Sequence, residues 1–200
     1  MPHRKVSGEC EGGGGLEHYM PSNFVRFLQR IRVFSGFVIA IVFLAFSRPT
    51  PLTLGVGIAI ATIGVLIRAW ACGHLRKSAE LDVSGPYAHT RNPLYLGTFI
   101  IALGFGVASG SWWLFLLISA YIGSIYFPVM NVEADVLEQR LGGEYRDYAA
   151  NVPLLVPRMT AWKKSDRRFD FRLYLKNGEY NAAIGLVAAS AFLAIKSYLF

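Results

Sequence analysis

The sequence predicts an all-α integral membrane protein of about five transmembrane helices, with a cytoplasmic amphipathic helix after the fourth. Three observations carry this. Only 16% of the 200 residues are charged and 54% are hydrophobic, against roughly 25% and 45–50% in soluble domains. Charged residues are missing from stretches long enough to cross a bilayer. The Lys and Arg residues crowd into alternate connections.

Taken in order, residues 1–22 hold "GECEGGGG" and no apolar run, which predicts a flexible tail without a secretory signal's pattern. Residues 23–200 then form a single membrane domain. Fifteen uncharged residues between Arg32 and Arg48 predict a first span over 33–47, and nineteen from Pro49 to Ile67 predict a second over 50–71. Residues 92–132 contain no charge over forty-one positions, about twice what one crossing of ~30 Å needs. "SGS" at 109–111 turns this run into a hairpin with spans over 93–108 and 112–130. Residues 180–198 form the last span. The outer spans are short and recruit Arg32, Arg48 and Lys196, snorkelling toward headgroups. Small residues at helical spacing predict close helix contacts: Gly57, Ala61 and Gly64; Gly97, Gly104 and Ala108; Ala182, Gly185 and Ala189.

Charge sets orientation. Eighteen of the twenty Lys and Arg lie before span one, between spans two and three, or between spans four and five. The positive-inside rule places those segments and the amino terminus in the cytoplasm, and the carboxyl terminus outside. The net charge of +7 is a topology signal and an attraction to anionic membrane lipid, not a nucleic-acid signature. Two cysteines, Cys10 and Cys72, suggest neither a disulfide framework nor a metal site.

Two segments on the predicted cytoplasmic face hold polar groups that topology alone does not require. In residues 68–97, Gly85-Pro86 marks a turn and Asn92-Pro93 a helix start, with Asn as cap and Pro at the first helical position. The free N–H groups of that start, with Arg91 beside them, suit a carboxylate. In residues 128–158, Pro128 predicts a kink at the end of span four, and Glu133 follows near the membrane boundary. Val132, Val136, Leu137, Leu141 and Tyr148 recur at helical spacing and predict the short amphipathic helix. Ionisable groups gathered at membrane depth predict a functional pocket.

The two segments resemble the isoprenylcysteine carboxyl methyltransferase and phospholipid methyltransferase superfamily. Its pattern runs Gly-x-Tyr, then Arg-(His/Asn)-Pro-x-Tyr-x-Gly, a hairpin, Glu-Glu-x-x-Leu, and (Phe/Leu)-Gly-x-x-Tyr-x-x-Tyr. Gly85, Tyr87, Arg91, Asn92, Pro93, Tyr95 and Gly97 match the first half. Glu133, Leu137, Leu141, Gly142, Tyr145 and Tyr148 match the second in register. The resemblance implies S-adenosyl-L-methionine as methyl donor and a lipophilic small molecule or lipid as acceptor. By position it implies that Glu133 binds the cofactor's ammonium. Tyr87, Arg91, Asn92, Pro93, Leu94 and Tyr95 would line the pocket, and Lys77 and Leu81, in and beside the loop 79–82, would add contacts. Asn92 stands where His is more frequent, Ala134 where a second Glu is usual, and Val129 where the prenylcysteine enzymes carry a carboxylate-binding Arg. The last departure argues against a prenylcysteine acceptor, and no residue stands out as a general base. A sterol-type reductase with Arg167 and Arg168 as phosphate binders, and a non-catalytic interaction protein on the same scaffold, are the competing readings. The charge pattern reads most simply as a bacterial or archaeal inner membrane.

Overall fold

The computed structural model describes residues 22–76 and 81–199, with side chains described from residue 34 onward. The described residues form helices α1 (Ser22–Phe46), α2 (Pro51–Cys72), α3 (Pro93–Ala108), α4 (Trp112–Leu141), α5 (Gly143–Asn151), α6 (Phe171–Lys176) and α7 (Tyr180–Leu199), with a 3-10 turn at Gly85–Ala88. No strand occurs among them. The tail expected over 1–22 lies outside the described residues, apart from Ser22, where α1 already begins.

Helices α2, α4 and α7 are each long and apolar enough to cross a membrane. The apolar part of α1 (Phe34–Phe46) and α3 (Pro93–Ala108) are shorter; the 16 residues of α3 reach about 24 Å. Outward faces are apolar: Ile63 on α2 is 54% exposed and Val187 on α7 68%, an arrangement that only an apolar surrounding stabilises.

The centre of the bundle is the α2–α3 seam. A Cβ placed on Gly57 would sit 2.5 Å from the Gly104 carbonyl oxygen, and one on Gly64 would sit 2.6 Å from that of Gly97. These helices touch backbone to backbone, as small residues at spacings of three and four allow. On the third predicted small-residue face, Ala182 and Ala189 are half-buried but Gly185 makes no close approach. Gly185 is exposed and a Cβ there would meet nothing; α7 instead buries Leu193 in a cluster with Phe43, Leu54, Ala108, Leu114 and Ile118.

Two further expectations are corrected. The amphipathic helix is not separate, because α4 runs unbroken from Trp112 through Pro128 to Leu141. Pro128 removes one N–H from the ladder, and no glycine follows until Gly142, whose φ of +58° ends the helix. Lys196 does not snorkel outward. Its Nζ donates to the carbonyls of Leu44 (2.6 Å) and Ala45 (3.0 Å), closing the carboxyl end of α1.

One ion pair ties the last helix to the middle of the fold. Arg68 of α2 donates from Nη2 and Nε to both carboxylate oxygens of Glu179, at 2.6 and 3.0 Å, and from Nη1 to the Thr98 hydroxyl at 2.5 Å. Both side chains are largely buried, at 23% and 11% exposure. Glu179→Gln therefore leaves a half-paired guanidinium and is expected to lower stability by about 2–3 kcal/mol. A melting curve in detergent reads this directly; an unchanged midpoint would mean that water replaces the carboxylate.

Candidate functional site

The site is built where the 3-10 turn, the first turns of α3 and the second half of α4 converge. Gly85 opens the turn at φ +54°, with the His74 ring packed where a Cβ would lie, and Pro86 fixes its second position. Tyr87 is thereby set inside, 8% exposed. The Tyr148 hydroxyl donates to the Tyr87 carbonyl at 2.7 Å. Burial pushes both phenols above their ordinary pKa, so both remain hydrogen-bond donors around neutral pH.

Asn92 holds the expected cap position before Pro93, but its side chain makes no capping bond. Its Nδ2 donates instead to the Leu154 carbonyl at 3.0 Å. This belongs to a wider latch, in which the chain after α5 pairs backbone to backbone with the turn. Arg91 N–H donates to Pro153 (2.9 Å), Arg158 N–H to His89 (2.9 Å) and Trp162 N–H to Ala88 (3.0 Å).

On the other wall, the Tyr95 hydroxyl donates to Glu133 Oε1 at 2.7 Å, and the Tyr126 ring packs edge-on to Tyr95 at 5.3 Å. Arg91 Nη1 donates to the Tyr145 hydroxyl at 3.3 Å. Ala134, where the family pattern carries a second Glu, packs against the Tyr145, Tyr148 and Val152 cluster. Ala134 is half-buried and also lines the smaller of the two cavities beside it.

These walls enclose two adjoining chambers. The larger, about 870 Å³, reaches from Glu133 past Arg68, Tyr95, Thr98 and Tyr126 to Phe37 and Ala40 of α1. The smaller, about 220 Å³, lies toward Leu81, Asp82, Arg140 and Tyr145. Tyr87, Arg91, Asn92, Glu133, Leu75 and Leu137 line both and form the junction. Two buried donors on residues of that junction, Tyr87 Oη and Arg91 Nε, have no hydrogen-bond partner among the described residues. Unpaired buried donors are rare and costly, and both belong to residues that line the two chambers.

Of the residues expected from sequence, Tyr87, Arg91, Asn92 and Glu133 meet at the junction, Pro93, Leu94 and Tyr95 line the larger chamber, and Leu81 lines the smaller. Lys77, with Ala79 and Glu80 of the expected loop, lies outside the described residues. Sequence reasoning missed Arg68, Thr98, Tyr126 and the α1 wall. Arg68 did leave a signal, as the one charge between Pro49 and Leu75. Arg167, a phosphate binder in the reductase reading, donates instead to Asp82 Oδ1 at 3.1 Å. Tyr95→Phe removes one charge-assisted bond and leaves the ring. It is expected to weaken ligand binding at the junction about 5- to 20-fold, a loss of roughly 1–2 kcal/mol, read by titration with S-adenosylhomocysteine.

Residues 51–144 match the phospholipid methyltransferase family model. The chain is similar to the nickel-cobalt-cadmium resistance protein NccN of Alcaligenes xylosoxydans xylosoxydans, 32% identical over 56% of this chain and 52% of that protein. It is similar also to the cobalt-zinc-cadmium resistance protein CzcN of Cupriavidus metallidurans, 30% identical over 66% of this chain and 64% of that protein. The matches thus span 52% and 64% of these curated relatives' own lengths. No solved structure matches the chain. The segment similar to the phospholipid methyltransferase family, 51–144, is just under half of the chain and holds α2, α3, α4 and the residues of the junction.

Proposed function

We propose that the protein transfers a methyl group from S-adenosylmethionine to a lipophilic or membrane-embedded acceptor. The cofactor would sit across the chamber junction, with the acceptor in the larger chamber. One observation carries the reading: Tyr87, Arg91 and Glu133 all line both chambers, so a carboxylate, a guanidinium and a phenol meet at one junction. The cofactor's amino-acid end has one cation and one anion. Glu133 suits its ammonium, and Arg91 and Tyr87 offer donors to its carboxylate. The smaller chamber alone is below the ~300–1,000 Å³ usual for small-molecule sites, so the ligand would extend into the larger one. There the Tyr95 and Tyr126 faces suit a cationic sulfonium. S-adenosylmethionine, when bound, supplies an electrophilic methyl group. The chain's residues hold the two reactants in line and exclude water. A carboxylate acceptor would need no base, whereas an amine acceptor must first lose a proton.

In this reading α1, α2, α3, α4 and α7 are five spans of one membrane domain. The junction and amino terminus face the cytoplasm, and the membrane is a bacterial or archaeal inner membrane. The alternating Lys and Arg pattern supports that orientation. Calorimetric titration of detergent-purified protein with S-adenosylhomocysteine tests it, and saturable binding is expected. Absence of binding to a well-folded sample would favour a non-catalytic protein, and displacement of the ligand by NADPH would favour a reductase.

A further inference from the structure

At the end of the bundle away from the two chambers, a third cavity of about 850 Å³ opens between the carboxyl end of α1, the start of α2 and the last turns of α7. Arg48 and Lys196 line it. No acid occurs in residues 44–53, 109–113 or 189–199, which make up this end. Lys196 is fixed in place by the α1 carbonyls and by the Ser47 hydroxyl at 3.4 Å, so it supplies a stationary positive charge. Arg48 is held at the backbone, where its N–H donates to the Ser109 carbonyl at 2.7 Å. The next residues, Pro49 and the Thr50–Thr53 capping box, fix the chain behind it. Its side chain is exposed and makes no hydrogen bond or ion pair among the described residues. Apolar side chains complete the wall, and Ile195 and Leu199 are 61% and 70% exposed.

We propose that this cavity binds the phosphate headgroup of an anionic membrane glycerophospholipid. The Arg48 fork would donate to phosphate oxygens, a geometry guanidinium matches in two bonds. Lys196 adds charge without a hydrogen bond, and the acyl chains lie along Phe192, Ile195 and Leu199. A free phosphate would satisfy Arg48 but leave that apolar wall in water, so the site favours a lipid. The lipid would bridge α1 and α7, which belong to no part of the chamber junction.

The test is native mass spectrometry of the full chain in neutral detergent, with phosphatidylglycerol, phosphatidylcholine or sn-glycerol 3-phosphate added. One phosphatidylglycerol is expected to be retained, at least fivefold above either of the others. Arg48→Gln, which disturbs no packed group, is expected to lower that retention at least fivefold, whereas Arg168→Gln on the opposite face leaves it unchanged. Equal retention of phosphatidylcholine, equal retention of glycerol phosphate, indifference to Arg48→Gln, or an equal loss in Arg168→Gln would each overturn the proposal.

Discussion

Glu133→Ala is expected to weaken S-adenosylhomocysteine binding about 10- to 100-fold, the equivalent of roughly 1.5–3 kcal/mol for a hydrogen bond to a charged group. The carboxylate is the acidic group at the junction of the two chambers and is held in place by the Tyr95 hydroxyl at 2.7 Å. Removing it takes away the counter-charge for a bound ammonium and leaves the Arg91 cation nearby. Because Glu133 lies on the half-buried face of a long helix, the variant should still insert and purify. Glu138→Ala is the control. That residue faces outward, half-exposed, against Arg146 at 3.7 Å, and its loss should leave affinity unchanged. Calorimetry on the three proteins decides the matter; equal affinity in wild type and Glu133→Ala would sink the site assignment.

Gly104→Val is expected to be the most damaging single change to the fold, at about 3 kcal/mol. The added Cβ would lie 2.5 Å from the Ala61 nitrogen and 2.7 Å from the Gly57 carbonyl oxygen, and backbone cannot rotate away as a side chain can. The seam must open, moving α3 from α2 and carrying Tyr95 away from Arg68. A fall in melting midpoint of about 6–12 °C follows for a chain of this size, with ligand binding lost in parallel. Gly185→Ala on α7 is the counterpart. Its Cβ meets nothing, so helix propensity alone acts and stability should hold or rise by up to about 1 kcal/mol. If both variants melt alike, backbone contact is not what holds the seam.

The contrast between these glycines shows what the sequence could and could not convey. Spacing is a local property, and it placed Gly57, Ala61, Gly64, Gly97 and Gly104 correctly because both faces belong to neighbouring helices joined by one connection. The same spacing misled at Gly185, which is exposed with open space beside it, because nothing local says which face a distant helix meets. The site divides similarly. Tyr87, Arg91 to Tyr95 and Glu133 were legible because the family pattern fixes them at set separations. Arg68 was read as a topology charge because its partner, Glu179, lies 111 residues away. Tyr126 sits in an unbroken apolar run, where an aromatic lining a cavity looks like one facing lipid. The Asn92 side chain was assigned to a cap because that is its usual local role, and a long-range carbonyl took it instead.

The latch and the Arg68 ion pair also bear on the order in which the molecule is made. Every residue lining the two chambers lies at or before Tyr148, while the groups bracing them come later: the carbonyls of Pro153 and Leu154, the Arg158 and Trp162 amides, and Glu179. Translation therefore delivers a full set of walls before any of the frame that holds them. A nascent chain paused after α5 would have the walls of the site and none of these braces. In the proposed reading binding competence would arrive late and in two stages, first as residues 153–162 close the latch and then as Glu179 reaches Arg68.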